Sequence, residues 1–291
     1  NLVNNSNGWI YFEGDNIQII NNDIYASQFE IDGNHIYFAN NYYYDTIRGS
    51  MDGIHVENSY NCTVFNNTIV IGGEENQQAM YFDDSNEFNV SYNNITTTCN
   101  GCVGIIVNEP EEIYIGYNNI TTFGGIGYWP RQPSYGMIYR YVYSGSIKNI
   151  TNNVITTYGI GSSGIYIHET SHSLPNRSVF RNNIITTAKG YSLVIQGDCD
   201  PYDYYPSDID TSNLAEGKPV YYYCNVSDTI IENLDAGQII VAGAATESGQ
   251  TNLTLRNVSS KDGIMLIDYA EGIAIEDSYI DTNNQESVAG V

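Results

Sequence analysis

The chain has 291 residues and a net charge of −24, from 34 acidic against 10 basic residues. That balance excludes a nucleic-acid partner and an anionic membrane surface, since both repel it. Charged residues make up only 15% and Tyr numbers 27, so the surface is expected to be Tyr, Asn, Thr and Ser. No apolar run is long enough to span a membrane, and without a starting Met or a signal-like segment the chain reads as a mature or excised piece.

From the start the chain reads as short β-branched or aromatic runs with a period of two, broken by Gly, Asn and Asp. Gly8, Trp9 and Tyr11 lead to Ile19 and Ile24, and Phe38/Tyr43 follows. Gly53, Ile54 and Val56 lead to Val64 and Ile69; Ala79, Met80 and Phe82 to Val90 and Ile95; Gly104, Ile105 and Val107 to Ile115 and Ile120. The same five-residue step recurs at Ile150/Ile155, Val179/Ile184 and Ile275/Ile280. An Asn pair falls between most partners: Asn21-Asn22, Asn40-Asn41, Asn66-Asn67, Asn93-Asn94, Asn118-Asn119, Asn152-Asn153 and Asn182-Asn183. From Tyr43 to Ile69 is 26 residues, and the next two steps are 26 and 25.

No stretch shows a helical period with caps. An all-strand unit of this size cannot bury its apolar face alone and must stack on its copies. The expected fold is therefore all-β, a parallel β-helix of roughly ten or more coils, running as one domain over 1–291. Asn suits each turn because it tolerates a left-handed backbone and its amide can bond the next Asn along the axis. Insertions are expected near 121–146, 170–178 and 198–219.

Five Cys bear on compartment. Cys62 falls where other copies place Ile17, Ile36, Phe88, Ile113 and Ile273, so parity points it inward as a buried thiol. Cys99 and Cys102 flank a turn and can close a small disulfide, form half a metal site or be redox-active. Cys199 and Cys224 bracket the third insertion, where a disulfide would close a long loop. We expect two disulfides and one core thiol, and so an oxidising compartment. Sequons start at Asn4, Asn61, Asn66, Asn89, Asn94, Asn119, Asn149, Asn176, Asn225, Asn252 and Asn257. Several fall on the Asn turn, where structure alone explains them; some occupied sites fit a secreted protein.

The first insertion carries Tyr128, Trp129 and Tyr135, rings that can stack on sugar faces, contact another subunit or pack on one another. In the third, Asp198, Asp200, Asp203, Asp208 and Asp210 can offer oxygens to calcium, or form a solvated acidic loop. No other cofactor is expected.

From Ile209 the residues IDTSNLAEGKPVYYYCN, then AGQIIVAG, then NLTLRNVSSKDGIMLIDYAEGIAIEDSYI resemble the NosD-like or CASH-type β-helix of archaeal and bacterial surface proteins. Matching positions are Ile209, Asp210, Asn213, Gly217 to Tyr222, Ala236 to Ile239, Asn252, Asn257, Gly263 and Ile264. The match covers roughly the last 80 residues and implies a right-handed parallel β-helix, often modular and extracellular. It implies no single activity, since that family holds sugar hydrolases, carbohydrate binders and structural modules.

Just after the Gly-led strands, Glu57-Asn58, Asp83-Asp84, Asn108-Glu109, Arg140-Tyr141 and His168-Glu169 are expected to form a column. Carboxylates one coil apart lie about 5 Å from each other and cannot both ionise cheaply. Asp83, Asp84, Glu109, Arg140, His168 and Glu169 are thus the candidates for acid–base work on a glycan. The alternative is a polar strand exit. The Gly-His-Gly and Arg-Ile-Lys runs of polygalacturonase-like enzymes are absent, and a lyase for acidic polymers would want a basic cleft.

The sequence therefore points first to an extracellular structural protein: a subunit of a surface filament, sheath or layer, self-associating through its coil ends and Tyr-rich loops. A carbohydrate-active enzyme or glycan-binding adhesin is the alternative.

Overall fold

The computed structural model describes residues 2–45, 52–73, 77–108, 112–124, 133–140, 147–168, 177–196, 207–242, 252–267 and 272–282. Among them every regular element is a β-strand. Most strands fall into an 18-stranded and an 8-stranded sheet, with two 3-stranded sheets from the C-terminal part. Pairing is parallel except where Leu214–Ala215 meets Lys218–Cys224.

Each strand pairs with its copy in the next repeat. Ile54, Met80, Ile105, Met137, Ile165 and Leu193 are successive partners. So are Phe38, Val64, Val90, Ile115, Ile150 and Phe180 in the 8-stranded sheet. A third series runs Ile24, Tyr43, Ile69, Ile95, Ile120, Ile155 and Ile185. All of these side chains are buried. Each contributes about 2 kcal/mol of apolar burial, gained only when its neighbours are present.

Two expected registers are corrected. The core step is Phe180/Ile185, not Val179/Ile184, and Ile184 lies 44% exposed. Both residues of each pair are apolar, so alternation could not choose between them. Likewise Ile10 and Phe12 pair with the buried Phe29 and Ile31, while Trp9 and Tyr11 face outward. The insertions also hold structure: Tyr135–Arg140 is a strand of the large sheet, and Asp208–Ile209 closes the 8-stranded one.

The Asn ladder joins the repeats. Asn22, Asn41, Asn67, Asn93, Asn118, Asn153, Asn183 and Asn213 follow one another, each amide Nδ2 donating to the next Oδ1 at 2.8–3.2 Å. Each of these oxygens, from Asn41 on, also accepts the backbone N–H of the preceding ladder Asn. The preceding residue takes the left-handed backbone: Asn21, Asn40, Asn66, Asn152 and Asn182, but Tyr92 and Tyr117 in two copies. In those copies the ladder residue is therefore the first of the Asn pair. Asn213 has no pair and joins the ladder from inside the third insertion.

Glycine leads the strands because backbones pass closely. A Cβ on Gly136 would meet Ile155 Cγ2 at 2.3 Å and Gly164 O at 2.6 Å. Cys99 and Cys102 form a disulfide, and Cys62 is a buried thiol that burial pushes up to about 12. Cys224 is disulfide-bonded; its expected partner Cys199 lies outside the described residues. Lys148 occupies the interior position that Ile113 holds one repeat earlier, with its Nζ 5.5 Å from the Tyr139 ring centroid.

At the C-terminal part the stack is spliced by side chains. Gln238 accepts from Leu193 N at 3.0 Å and donates to Leu193 O at 2.7 Å, as a strand backbone would. Buried Asp262 accepts the Ser192 N–H at 2.5 Å. Burial is the main cause that raises this carboxyl, to about 7.

Candidate functional site

On the large sheet, outward residues of the Gly-led strands stack in two columns. One runs Tyr11, Glu30, His55, Tyr81, Ile106, Ile138, Tyr166 and Val194. Two residues on, Glu13, Asp32, Glu57 and Asp83 are followed by Asn108, Arg140, His168 and Gln196. The expected carboxylate column thus exists, and it changes character halfway along.

In the acidic half these columns and the turn residue Asp52 form a half-buried polar recess. Gln28 Nε2 donates to Glu30 Oε2 at 3.1 Å, and His55 Nδ1 lies 3.9 Å from the same oxygen. The His55 ring stacks on Tyr81 at 4.8 Å and 28°. Asn108 Nδ2 donates to Tyr81 Oη at 2.6 Å, and the Tyr81 phenol bonds Asp83. Both His55 ring nitrogens are shut off from solvent without a hydrogen bond among the described residues. Burial raises the Asp52 carboxyl to about 6, with His55 opposing and Asp83 and Glu30 adding to the rise. Burial and then Asp83 also push the Tyr81 phenol up. Asp52 therefore holds its proton into the range where a general acid is useful.

In the other half the first column turns apolar, beside Asn108, Arg140, His168 and Gln196 of the second. Val103, Ile106 and Ile138 are buried although they face outward, and Tyr81, Tyr135 and Tyr166 pack around them. Tyr135 lies 5.3 Å from Tyr166, and burial, Tyr166 adding, pushes its phenol up to about 12. A second, open hollow of about 420 Å³ lies on the 8-stranded sheet, lined by Glu87, Asn89, Glu112, Tyr114 and Asn149.

Of the residues expected from sequence, Asp83, Arg140 and His168 lie on the face, one column. Asp84 does not join them: it sits exposed in a left-handed turn (φ 44), equivalent to Asn58. Glu109, Glu169, Tyr128, Trp129, Asp198, Asp200 and Asp203 lie outside the described residues. Tyr135, expected in a loop, is a strand residue. Asp208 and Asp210 both pair with Arg181, at 2.5 and 3.0 Å, and are committed there. Among the described residues no group of three or more His, Cys, Asp or Glu is arranged to hold a metal.

The sequon residues Asn61, Asn66, Asn89, Asn94, Asn119, Asn225, Asn252 and Asn257 are exposed and Asn149 is half-buried. Asn61, Asn66, Asn225, Asn252 and Asn257 adopt positive φ, so the backbone alone accounts for Asn there. The Asn4 side chain and Asn176 lie outside the described residues.

Sequence reasoning missed Glu30, Asp52 and Tyr81 as members of a site. The signal for Glu30 and Tyr81 was the column two residues before the carboxylates, visible only once Glu30 is aligned with His55; Asp52 lies before the strand Ile54–Glu57 and outside that column. Comparison with family models, curated proteins and solved structures finds no match to this chain.

Proposed function

We propose that the chain is a right-handed parallel β-helix of the NosD-like or CASH type. We propose further that it works outside the cell as a structural subunit of a surface filament, sheath or layer. The observation that carries this reading is the Asn ladder, which ties each repeat to the next from Asn22 to Asn213, because a stack tied at every repeat resists bending. The disulfide supports an oxidising, extracellular setting, and occupied sequons would make the subunit a glycoprotein. Electron microscopy of the protein from its source tests this: filaments or a lattice are expected, and dispersed single particles would overturn it.

A second reading is favoured by the recess. A proton-holding Asp52 beside Asp83 and Glu30, next to stacked rings, has the parts of an acid–base site on a glycan. Asp52→Asn should then abolish hydrolysis of an oligosaccharide panel. Unchanged turnover would remove this site from consideration.

A further inference from the structure

Between Asp23 at one end and Glu216 at the other, the third series of strands turns a stretch of face to solvent that carries no charge. Its first outward column is Tyr42, Thr68, Asn94, Asn119, Val154 and Ile184. Its second is Tyr44, Val70, Thr96, Thr121, Thr156 and Thr186. Aromatic stacks edge it: Tyr92 on Tyr117 at 4.8 Å, and Phe123 on Tyr158 at 4.9 Å. These four rings are 47–52% exposed, and Val154 and Ile184 are 42% and 44% exposed. On a chain of net charge −24, so large a neutral area is not a default surface.

We propose that this face binds a second copy of the same chain, face to face, and so provides the lateral contact of the assembly; this rests on the structural reading above. The occupant follows from charge. Two copies repel wherever acidic surfaces meet, and least where neither surface carries charge. The exposed rings and β-branched side chains add apolar area of the kind enriched in interfaces. The face measures roughly 400 Å² from strand spacing and length. That is below the about 800 Å² per partner of a stable pair. An isolated pair is therefore weak, and the contact gains strength only when many copies are aligned by the axial stack. One consequence is specific. Asn94 and Asn119 are sequons on this face, already joined by a hydrogen bond from Asn119 Nδ2 to Asn94 Oδ1 at 3.0 Å. A glycan on either would block the contact, so both must be bare in the native protein.

The test is sedimentation velocity across a concentration series, at low and high salt, with electron microscopy of the same samples. Wild type should associate weakly, and more strongly at high salt, as repulsion is screened. Thr121→Glu with Thr156→Glu should associate at least about tenfold more weakly, with an unchanged melting temperature. Thr63→Glu with Asn89→Glu, on the 8-stranded sheet, should leave association intact. Mixing the Glu pair with Thr121→Lys/Thr156→Lys should restore it, which also covers loss through misfolding. Association unaffected by the Glu pair, or a glycan on Asn94 or Asn119, overturns the inference. Single-width filaments would overturn this contact and keep the structural reading; lateral pairs without filaments would do the reverse.

Discussion

Two faces of one stack share the same repeat and the same Asn ladder, yet they differ completely in what they show to solvent. The Gly-led strands present Glu30, His55, Tyr81 and Asp83 in a recess that raises Asp52, then a buried apolar patch. The strands from Tyr42 to Thr187 present Thr, Asn, Val, Ile and Tyr without a charge. Backbone pairing satisfies both equally, so stacking cannot be the cause of the difference. A face crowded with coupled ionisable groups costs stability, and a face without charge forgoes solubility. Each departure breaks local consistency, and these are the two surfaces to which we assign the proposed roles.

The comparison can be broken most severely from beneath. Asn93→Leu should cost about 3 to 5 kcal/mol, because it strands the buried N–H of Asn67 and the carbonyl of Val64. Both faces should fall together in a urea titration. Asn66→Ala, exposed and outside the ladder, should cost only about 1 kcal/mol, the cost of its left-handed backbone.

The next effect separates the faces by pH. Asp52 and Asp262 both keep their protons longer in the folded chain than in the unfolded one. Their contribution is full below the unfolded carboxylate range and is lost as pH rises through about 6 for Asp52 and about 7 for Asp262. Asp52→Asn should therefore stabilise the protein at pH 8 by about 2 to 3 kcal/mol and do nothing at pH 3. A flat difference across that range would show that the recess does not hold the proton. No such pH effect should arise from the neutral face.

Smaller still, Tyr81→Phe should cost about 1 to 2 kcal/mol by unpairing Asn108 and Asp83. Thr156→Val should stay within about 0.5 kcal/mol in the same denaturation assay, since its outward side chain makes only surface contacts.

Much of this was legible in the sequence. The five-residue step and the Asn pairs placed the parallel strands, and parity placed Cys62 inside. Parity failed at Val179-Phe180 and Ile184-Ile185, where both candidates are apolar. The ladder residue was misframed where Tyr92 and Tyr117 take the left-handed position that Asn holds elsewhere. The carboxylate column was legible from Glu57 and Asp83. The recess was not, because Asp52 comes from a turn and Glu30 from a shorter first repeat, in which Asn22 and Asn41 are only 19 residues apart. The neutral face was missed because absence of charge has no motif; it emerges only when register lines up Thr96, Thr121, Thr156 and Thr186.

We propose that this chain builds a larger structure through its stacked repeats, and electron microscopy of the native assembly decides it. An axial repeat of about 4.8 Å along each stack is expected, with neighbouring stacks touching through the Thr121 and Thr156 face. Dispersed single particles, or stacks joined through the recess around Asp52, would contradict the proposal.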